Sequence, residues 1–426
     1  MKRNDDICLA FSDYDGNLYD FPGIEPAFRT GNRFTRIKRK DLIKLPYGSY
    51  LYSLPGRYPV FYNHKNSDFN HIAVSPDGFD ILASSAFLAS GYLRTYLPAY
   101  IKEEDAPLLP MWAYAGLVII DGEFHVPALR IDEDIRSDPV IHENHEELSV
   151  AIQKMSRAYP ENRLVKQLAR CSREFNCLCA RNFFLERHEA PVPASPSCNA
   201  GCMGCLSHQE SASGLAESQE RITFSPEPHE IAQVILHHVK AADDAVASFG
   251  QGCEGEPLLR AGDIAGAISM VRRETGRGTI NMNTNGSLPG AVELLIRAGL
   301  DSIRISLNSP TEKYYDRYYQ PRGYSFDDVK RSLDIAINSG IFVSLNLFFM
   351  PGFTDMETEA ESLMKFLDAF PVSMIQTRNL NIDPDYYFES LGYEESDPLG
   401  IPVLLKMLRE RYPQMKLGYY NPPVKK

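Results

Sequence analysis

The pattern that most constrains this fold starts near Pro191 and continues to about Thr377. Short strand-like stretches at 190–194, 244–249, 279–283, 302–307, 342–349 and 373–377 alternate with stretches whose apolar residues recur at helical spacing, among them 229–240, 263–274, 291–298 and 326–339. Six strand-then-helix units in series predict a parallel sheet, because each helix must carry the chain back to the same sheet edge through a right-handed crossover. The expected architecture is α/β, a partial (β/α)6 TIM-like barrel. Upstream, residues 1–135 form short runs punctuated by Pro, Gly, Asn and Asp, which predicts an N-terminal β-rich domain. Asp77-Gly78 and Asp121-Gly122 are hairpin-turn candidates within it. Residues 136–189 return to helical spacing, through Leu148, Ile152, Met155, Leu164 and Leu168, and predict a helical connector broken at Pro160. The core barrel is expected over 190–385. A C-terminal helix at 401–411 and a Pro/Tyr/Lys tail complete 386–426.

Charge and cysteine usage narrow the function. The 426 residues carry a formal net charge of −12, and the densest basic patch is the short one around Arg36 to Lys40. Nucleic-acid binders draw most of their affinity from phosphate neutralisation, so this balance weighs against RNA or DNA and favours a small-molecule or peptide substrate. Met1 to Asp20 has Lys2 and Arg3 but no apolar run of the signal-peptide kind, and the longest apolar run, 341–350, is broken by Ser344 and Asn346 and is too short to span a bilayer. No membrane partner and a cytoplasmic location are expected. There, thiols stay reduced. Seven of the eight cysteines fall between Cys171 and Cys253, and a metal or cluster site gathers cysteines in this way where a disulfide framework spreads them.

Ligands in parallel α/β folds collect at the C-terminal ends of the strands. Cys198-Asn199-Ala200-Gly201-Cys202-Met203-Gly204-Cys205 follows the first predicted strand, and Gly252-Cys253-Glu254-Gly255-Glu256-Pro257 follows the second. Asn283-Thr284-Asn285-Gly286 follows the third, Ser306 and Asn308 the fourth, and Arg378 through Asp383 the sixth. Three thiolates can hold three irons of a [4Fe–4S] cube and leave the fourth iron open to a ligand.

This order of motifs resembles the radical S-adenosylmethionine (SAM) superfamily over roughly 190–385. The Cys198-x3-Cys202-x2-Cys205 spacing resembles its defining motif, and Gly255-Glu256-Pro257 resembles its glycine–glutamate segment. Thr284-Asn285-Gly286 and Ile305-Ser306-Leu307-Asn308 are similar to segments of the branch that includes the molybdenum-cofactor cyclase. Where the family usually has an aromatic before the third cysteine, this chain has Gly204, with Met203 or Leu206 as substitutes for its packing.

The resemblance implies that Cys198, Cys202 and Cys205 are metal ligands and catalytic. It implies a cluster that cleaves SAM reductively to a 5′-deoxyadenosyl radical, which takes hydrogen from substrate, and an electron donor such as flavodoxin or ferredoxin. By chemical type, Gly255 would allow close approach of the cofactor's methionine moiety, and Glu256 would accept from its amino group. Ser306 and Asn308 would address its carboxylate or ribose, and Thr284 and Asn285 would lie within reach of the same ligand.

Two other readings stand beside this one. The clustered cysteines with His208 could form a non-catalytic Cys3His zinc site, or a structural iron–sulfur site. A radical SAM enzyme that modifies RNA is the second, and the acidic balance counts against it. Cys171, Cys177, Cys179 and Cys253 are read as packing cysteines rather than a second cluster, since Cys171 and Cys177 would not share a helical face. Tyr314-Tyr315 and Tyr318-Tyr319 are read as packing residues. Arg378, Asn379, Asn381 and Asp383 are read equally as a capped loop or as a polar substrate-binding set.

Overall fold

The fold described here is a computed structural model covering residues 7–142, 144–209 and 214–424. The Lys2 and Arg3 of the N-terminal reading and the closing Lys425-Lys426 lie outside the described residues.

Parallel strands β1 (Glu189–Pro191), β2 (Val246–Phe249), β3 (Thr279–Thr284), β4 (Ser302–Leu307), β5 (Phe342–Phe349) and β6 (Met374–Asn379) pair in chain order. A seventh strand, β7 (Lys416–Gly418), joins β6 in parallel, so the sheet is a curled seven-stranded half-barrel rather than a six-stranded one. Only three residues long and ending in glycine, β7 carries no apolar alternation that would announce it.

The two faces of the sheet differ in residue type, the outer mainly apolar and the inner mainly polar. Ala247, Ile280, Met282, Ile303, Ile305, Leu307, Leu345, Leu347 and Ile375 point outward, all 1% exposed or less. They pack under helices that include α4 (Pro228–Ala241), α5 (Ala261–Glu274), α6 (Pro289–Ala298), α8 (Phe326–Asn338) and α9 (Glu357–Ala369), contributing to one continuous apolar core. The alternate positions, Ser248, Asn281, Asn283, Arg304, Ser306, Asn346, Gln376 and Arg378, face the barrel interior. Parallel strands buried on both faces ordinarily read as continuous apolar runs. A polar inner face therefore marks an interior built to meet polar groups.

Beneath the strands, the C-terminal tail closes the barrel floor. Asn421 Nδ2 donates to Glu189 Oε1 at 2.6 Å, with Ser248 Oγ and Asn283 Oδ1 at 3.4 and 3.3 Å. Asn421 Oδ1 accepts from Gln376 Nε2 at 2.7 Å, and Val424 N donates to Thr279 Oγ1 at 2.8 Å.

The N-terminal region is β-rich, as expected. Its largest sheet is antiparallel and includes Ile7–Ser12, Leu82–Phe87, Val118–Ile120 and Glu123–Val126. Asp121-Gly122 makes the hairpin between the last two, both residues at positive φ, whereas Asp77-Gly78 turns between residues joined only by an isolated bridge. This region grips the C-terminal ends of β5 and β6. The Arg57 guanidinium meets Asp383 Oδ2 at 2.8 Å with both side chains 1% exposed, Leu109 N donates to the same oxygen at 2.9 Å, and Asn379 exchanges bonds with Arg94 N and Tyr92 O. The connector is three helices, α1 (His145–Ala158), α2 (Arg163–Glu174) and α3 (Leu178–Phe184).

Candidate functional site

The cysteine loop after β1 is laced to the end of α7 (Glu312–Tyr319). Gly201 N donates to Tyr319 O at 2.9 Å, Met203 N to Tyr318 O at 3.0 Å, and Arg322 N to Asn199 O at 2.8 Å. Cys205 N donates to Cys202 O at 3.1 Å, which tightens the last turn of the loop. Side chains complete the tie: Asn285 Nδ2 donates to Asn199 Oδ1 and Asn199 Nδ2 to Ser287 Oγ, both at 2.9 Å. The loop is thereby fixed from two directions. All three thiols are free and half-buried.

Gly204 has a structural reason. A Cβ there would lie 2.6 Å from Tyr318 Oη, so a tyrosine from α7 already fills the space that a side chain at this position would need. Met203, proposed as the substitute, is instead buried in the apolar core, and Leu206 packs near Gly252. The tyrosine pairs are packing residues, with Tyr315 and Tyr319 stacked at 4.5 Å, but Tyr318 also borders the cysteine loop.

The turn after β2 is held by two buried carboxylates. Glu254 accepts four backbone N–H groups: Ala194 and Ser195 on Oε2, at 2.8 and 3.1 Å, and Gly250 and Gln251 on Oε1, at 2.6 and 3.2 Å. It thus staples the β2 turn to the chain entering the cysteine loop. Glu256 accepts from Leu258 N at 3.0 Å, Asn285 N at 2.9 Å and the Thr284 hydroxyl. Burial pushes both carboxyls up to about 7 against these hydrogen bonds, which pull the other way. Gly255 sits where a Cβ would come 2.0 Å from Ser197 O. Its bareness lets the turn run against the chain leading to Cys198, through Gly255 N to Ser195 O at 2.7 Å and Glu256 N to Ser197 O at 2.8 Å.

The structure therefore brings Cys198, Cys202, Cys205, Gly255, Glu256, Thr284 and Asn285 into one connected cluster. Ser306 lies apart on the inner face of β4, where its hydroxyl accepts from Asn346 Nδ2 at 3.4 Å. Asn308 is 1% exposed, its amide donating to Tyr314 O at 3.1 Å. Of the β6 mouth residues, Asn379 and Asp383 are engaged by the N-terminal region, while Arg378 turns inward over the Tyr419 ring at 3.7 Å.

Two contributors escaped the sequence reading. Arg221 donates to Cys205 Sγ at 3.3 Å and to Ser207 Oγ at 3.2 Å. An isolated arginine in a loop carries no spacing signal that would have marked it. Cys179, read as packing, lies on the barrel side, where Glu189, Arg378 and Arg304 bear on its thiol. By contrast, Cys171 and Cys253 are buried against each other, and Cys177 N donates to Cys171 O at 3.1 Å from the start of α3 rather than from the same helix.

The donor chemistry can be tested against the groups proposed for it. Thiols around one ion converge within a few ångströms, whereas thiols on a cube bind different irons and stand further apart. Among the described residues, no three His, Cys, Asp or Glu side chains are gathered as a single ion requires. His208, the fourth ligand of the zinc alternative, faces Glu217 Oε1 at 3.8 Å and is exposed. Burial raises Cys198 to about 11 and lifts Cys202 well above the ordinary thiol range, so ligation must release their protons.

Residues 192–366 match the Radical SAM superfamily. This stretch of the chain belongs to that family. The family uses a [4Fe–4S] cluster and SAM. Among relatives, the GTP 3′,8-cyclase of Thermodesulfovibrio yellowstonii is 30% identical over 185 residues, which is 41% of this chain and 54% of that protein. The dual-specificity RNA methyltransferase RlmN of Xylella fastidiosa is 25% identical over 164 residues, covering 36% and 40%. The chain spans about half the length of the curated relatives it matches. Among solved structures, native anSMEcpe with bound AdoMet overlays with a TM-score of 0.36 at 14% identity, over 46% of this chain and 52% of that one. Among the described residues, no helix is long and apolar enough to cross a membrane.

Proposed function

We propose that this chain is a radical SAM enzyme whose cluster is held by Cys198, Cys202 and Cys205 and whose substrate enters the half-barrel. The observation that carries this reading is the cysteine loop itself: three free, half-buried thiols in the loop after β1, tied to α7 and to Asn285, with an arginine on the third. A [4Fe–4S] cluster held by these three thiols would supply the one-electron reduction on which radical SAM chemistry depends.

The protein's part is to hold, orient and exclude water. Arg221 places a positive charge and an N–H on Cys205 Sγ. Glu254 and the Asn199–Asn285–Ser287 links keep the loop in one shape. The carboxylate of Glu256 has accepting capacity left after its three internal bonds and would take the SAM amino group. Ser306 and Asn308 would serve its carboxylate or ribose. The N-terminal region, anchored to the ends of β5 and β6, borders the mouth and would shield the radical from solvent.

Anaerobic reconstitution tests the proposal. The expected product is a brown protein containing iron and sulfide that forms 5′-deoxyadenosine when reduced with SAM, and Cys202→Ala should stay folded and lose the iron. A colourless zinc protein, or full iron content in the Cys202→Ala variant, would overturn the ligand assignment. Co-purifying RNA with salt-sensitive affinity would shift the substrate reading to RNA.

A further inference from the structure

We propose that the substrate carries an anionic group, a carboxylate or a phosphate, which is received inside the half-barrel by Arg304 of β4 and Arg378 of β6. This rests on the barrel being the radical SAM active site and names the class of molecule that site accepts.

Arg304 lies deep in the protein on the inward face of β4, yet it keeps part of its surface accessible. One of its amino groups donates to Gln376 Oε1 at 2.6 Å, and its Nε has no partner. Arg378, two residues beyond Gln376 on the same face, is also partly accessible and stacks on Tyr419, leaving its N–H edge available. Neither arginine forms an ion pair with a carboxylate among the described residues. Each instead bears on the other: the Arg378 charge, after burial, is what most depresses Arg304.

The carboxylate that bears on Arg304 is Glu189 at the barrel floor, and it is already committed. Its Oε1 accepts from Asn421 at 2.6 Å and from Gln251 at 3.3 Å, and Arg136 also lies within its field. Two further buried amide atoms on this face, Asn283 Nδ2 and Asn346 Oδ1, have no partner. Two like charges held together in a low-dielectric interior repel, and burying an unpaired guanidinium is costly. The arrangement makes physical sense once an anion lies between them. Guanidinium groups suit that role because their planar N–H edges match carboxylate and phosphate oxygens. In a chain of net charge −12, a positive interior also selects against the surface by concentrating field inside the barrel.

The test uses the full chain with its reconstituted cluster, kept anaerobic, and isothermal titration with two probes, inorganic pyrophosphate and citrate. At least one should bind the wild type, and the stronger probe identifies whether phosphate or carboxylate is the native group. Arg304→Gln and Arg378→Gln should each weaken that probe by about tenfold or more, while Arg304→Lys, which keeps the charge and loses the planar edge, falls between Arg304→Gln and the wild type. If Arg304→Gln does not fold, Arg378→Gln, at the more open position, decides the matter alone. Failure of both probes to bind, or equal binding by the Gln variants, would overturn the proposal. SAM cleavage is measured on the same wild-type sample: anion binding without cleavage counts against the radical SAM reading, and cleavage without anion binding counts against this one.

Discussion

Substituting Gly255 by alanine should damage this protein severely, through the chain that leads into the cysteine loop. The new Cβ would stand 2.0 Å from Ser197 O, 2.4 Å from Ser197 C and 3.1 Å from Cys198 N. These are backbone atoms, so no rotamer change relieves the overlap. Separation to ordinary contact needs a shift of more than an ångström, which breaks Gly255 N to Ser195 O and Glu256 N to Ser197 O. Each buried group left unsatisfied costs about 1–3 kcal/mol, so the pair costs about 2–6 kcal/mol before any steric strain. Because the displaced chain leads straight into Cys198, bound iron should fall as well. Gly266→Ala is the control: it lies mid-helix in α5, its Cβ would meet only Pro228 at 3.7 Å, and it should stabilise by about 0.5–1 kcal/mol. Urea unfolding by circular dichroism, with iron content after reconstitution, reads both. Equal midpoints for Gly255→Ala and wild type, with full iron, would refute the reasoning.

Other perturbations have equally definite outcomes. Arg221→Met removes the N–H on Cys205 Sγ, and should leave a cluster whose midpoint potential, measured by redox titration with EPR, is more negative than in the wild type. Asp383→Ala strands Arg57 in a buried site and should cost about 3–5 kcal/mol by chemical unfolding, much more than the Arg57→Met/Asp383→Leu double variant. Glu254 and Glu256 have folded-state values near 7 against 4.5 for a free side chain, so the stability each contributes is complete below pH 4.5 and is lost as pH rises to about 7. Glu256→Gln should remove about half of the resulting decline, roughly 3 kcal/mol, in unfolding measured from pH 5 to pH 8.

The barrel was legible because its strands are strongly apolar on one face and end in chemistry-bearing loops. The 302–307 and 342–349 predictions coincide with β4 and β5, and the 401–411 prediction with the helix Ile401–Arg411. The order of Cys198, Cys202, Cys205, Gly255-Glu256 and Thr284-Asn285 along the chain likewise points to loops that meet in the fold. What stayed hidden depends on contacts distant in sequence. Glu254 looks like a neighbour of the Gly-Glu-Pro turn, yet its work is to bind N–H groups sixty residues away in the chain. Strand β7 is stabilised by pairing with β6, not by its own composition, and Asn421 acquires meaning only through the four strands it touches. Gly204 shows the same logic in reverse, since its missing side chain is explained by Tyr318 on another element.

The central claim is that three thiols leave one iron of the cluster open, and Mössbauer spectroscopy of the iron-57 reconstituted protein with and without SAM tests it most directly. The account predicts that one iron site changes its isomer shift and quadrupole splitting when SAM is added while the other three stay as they were. Four iron sites that all ignore SAM would contradict it.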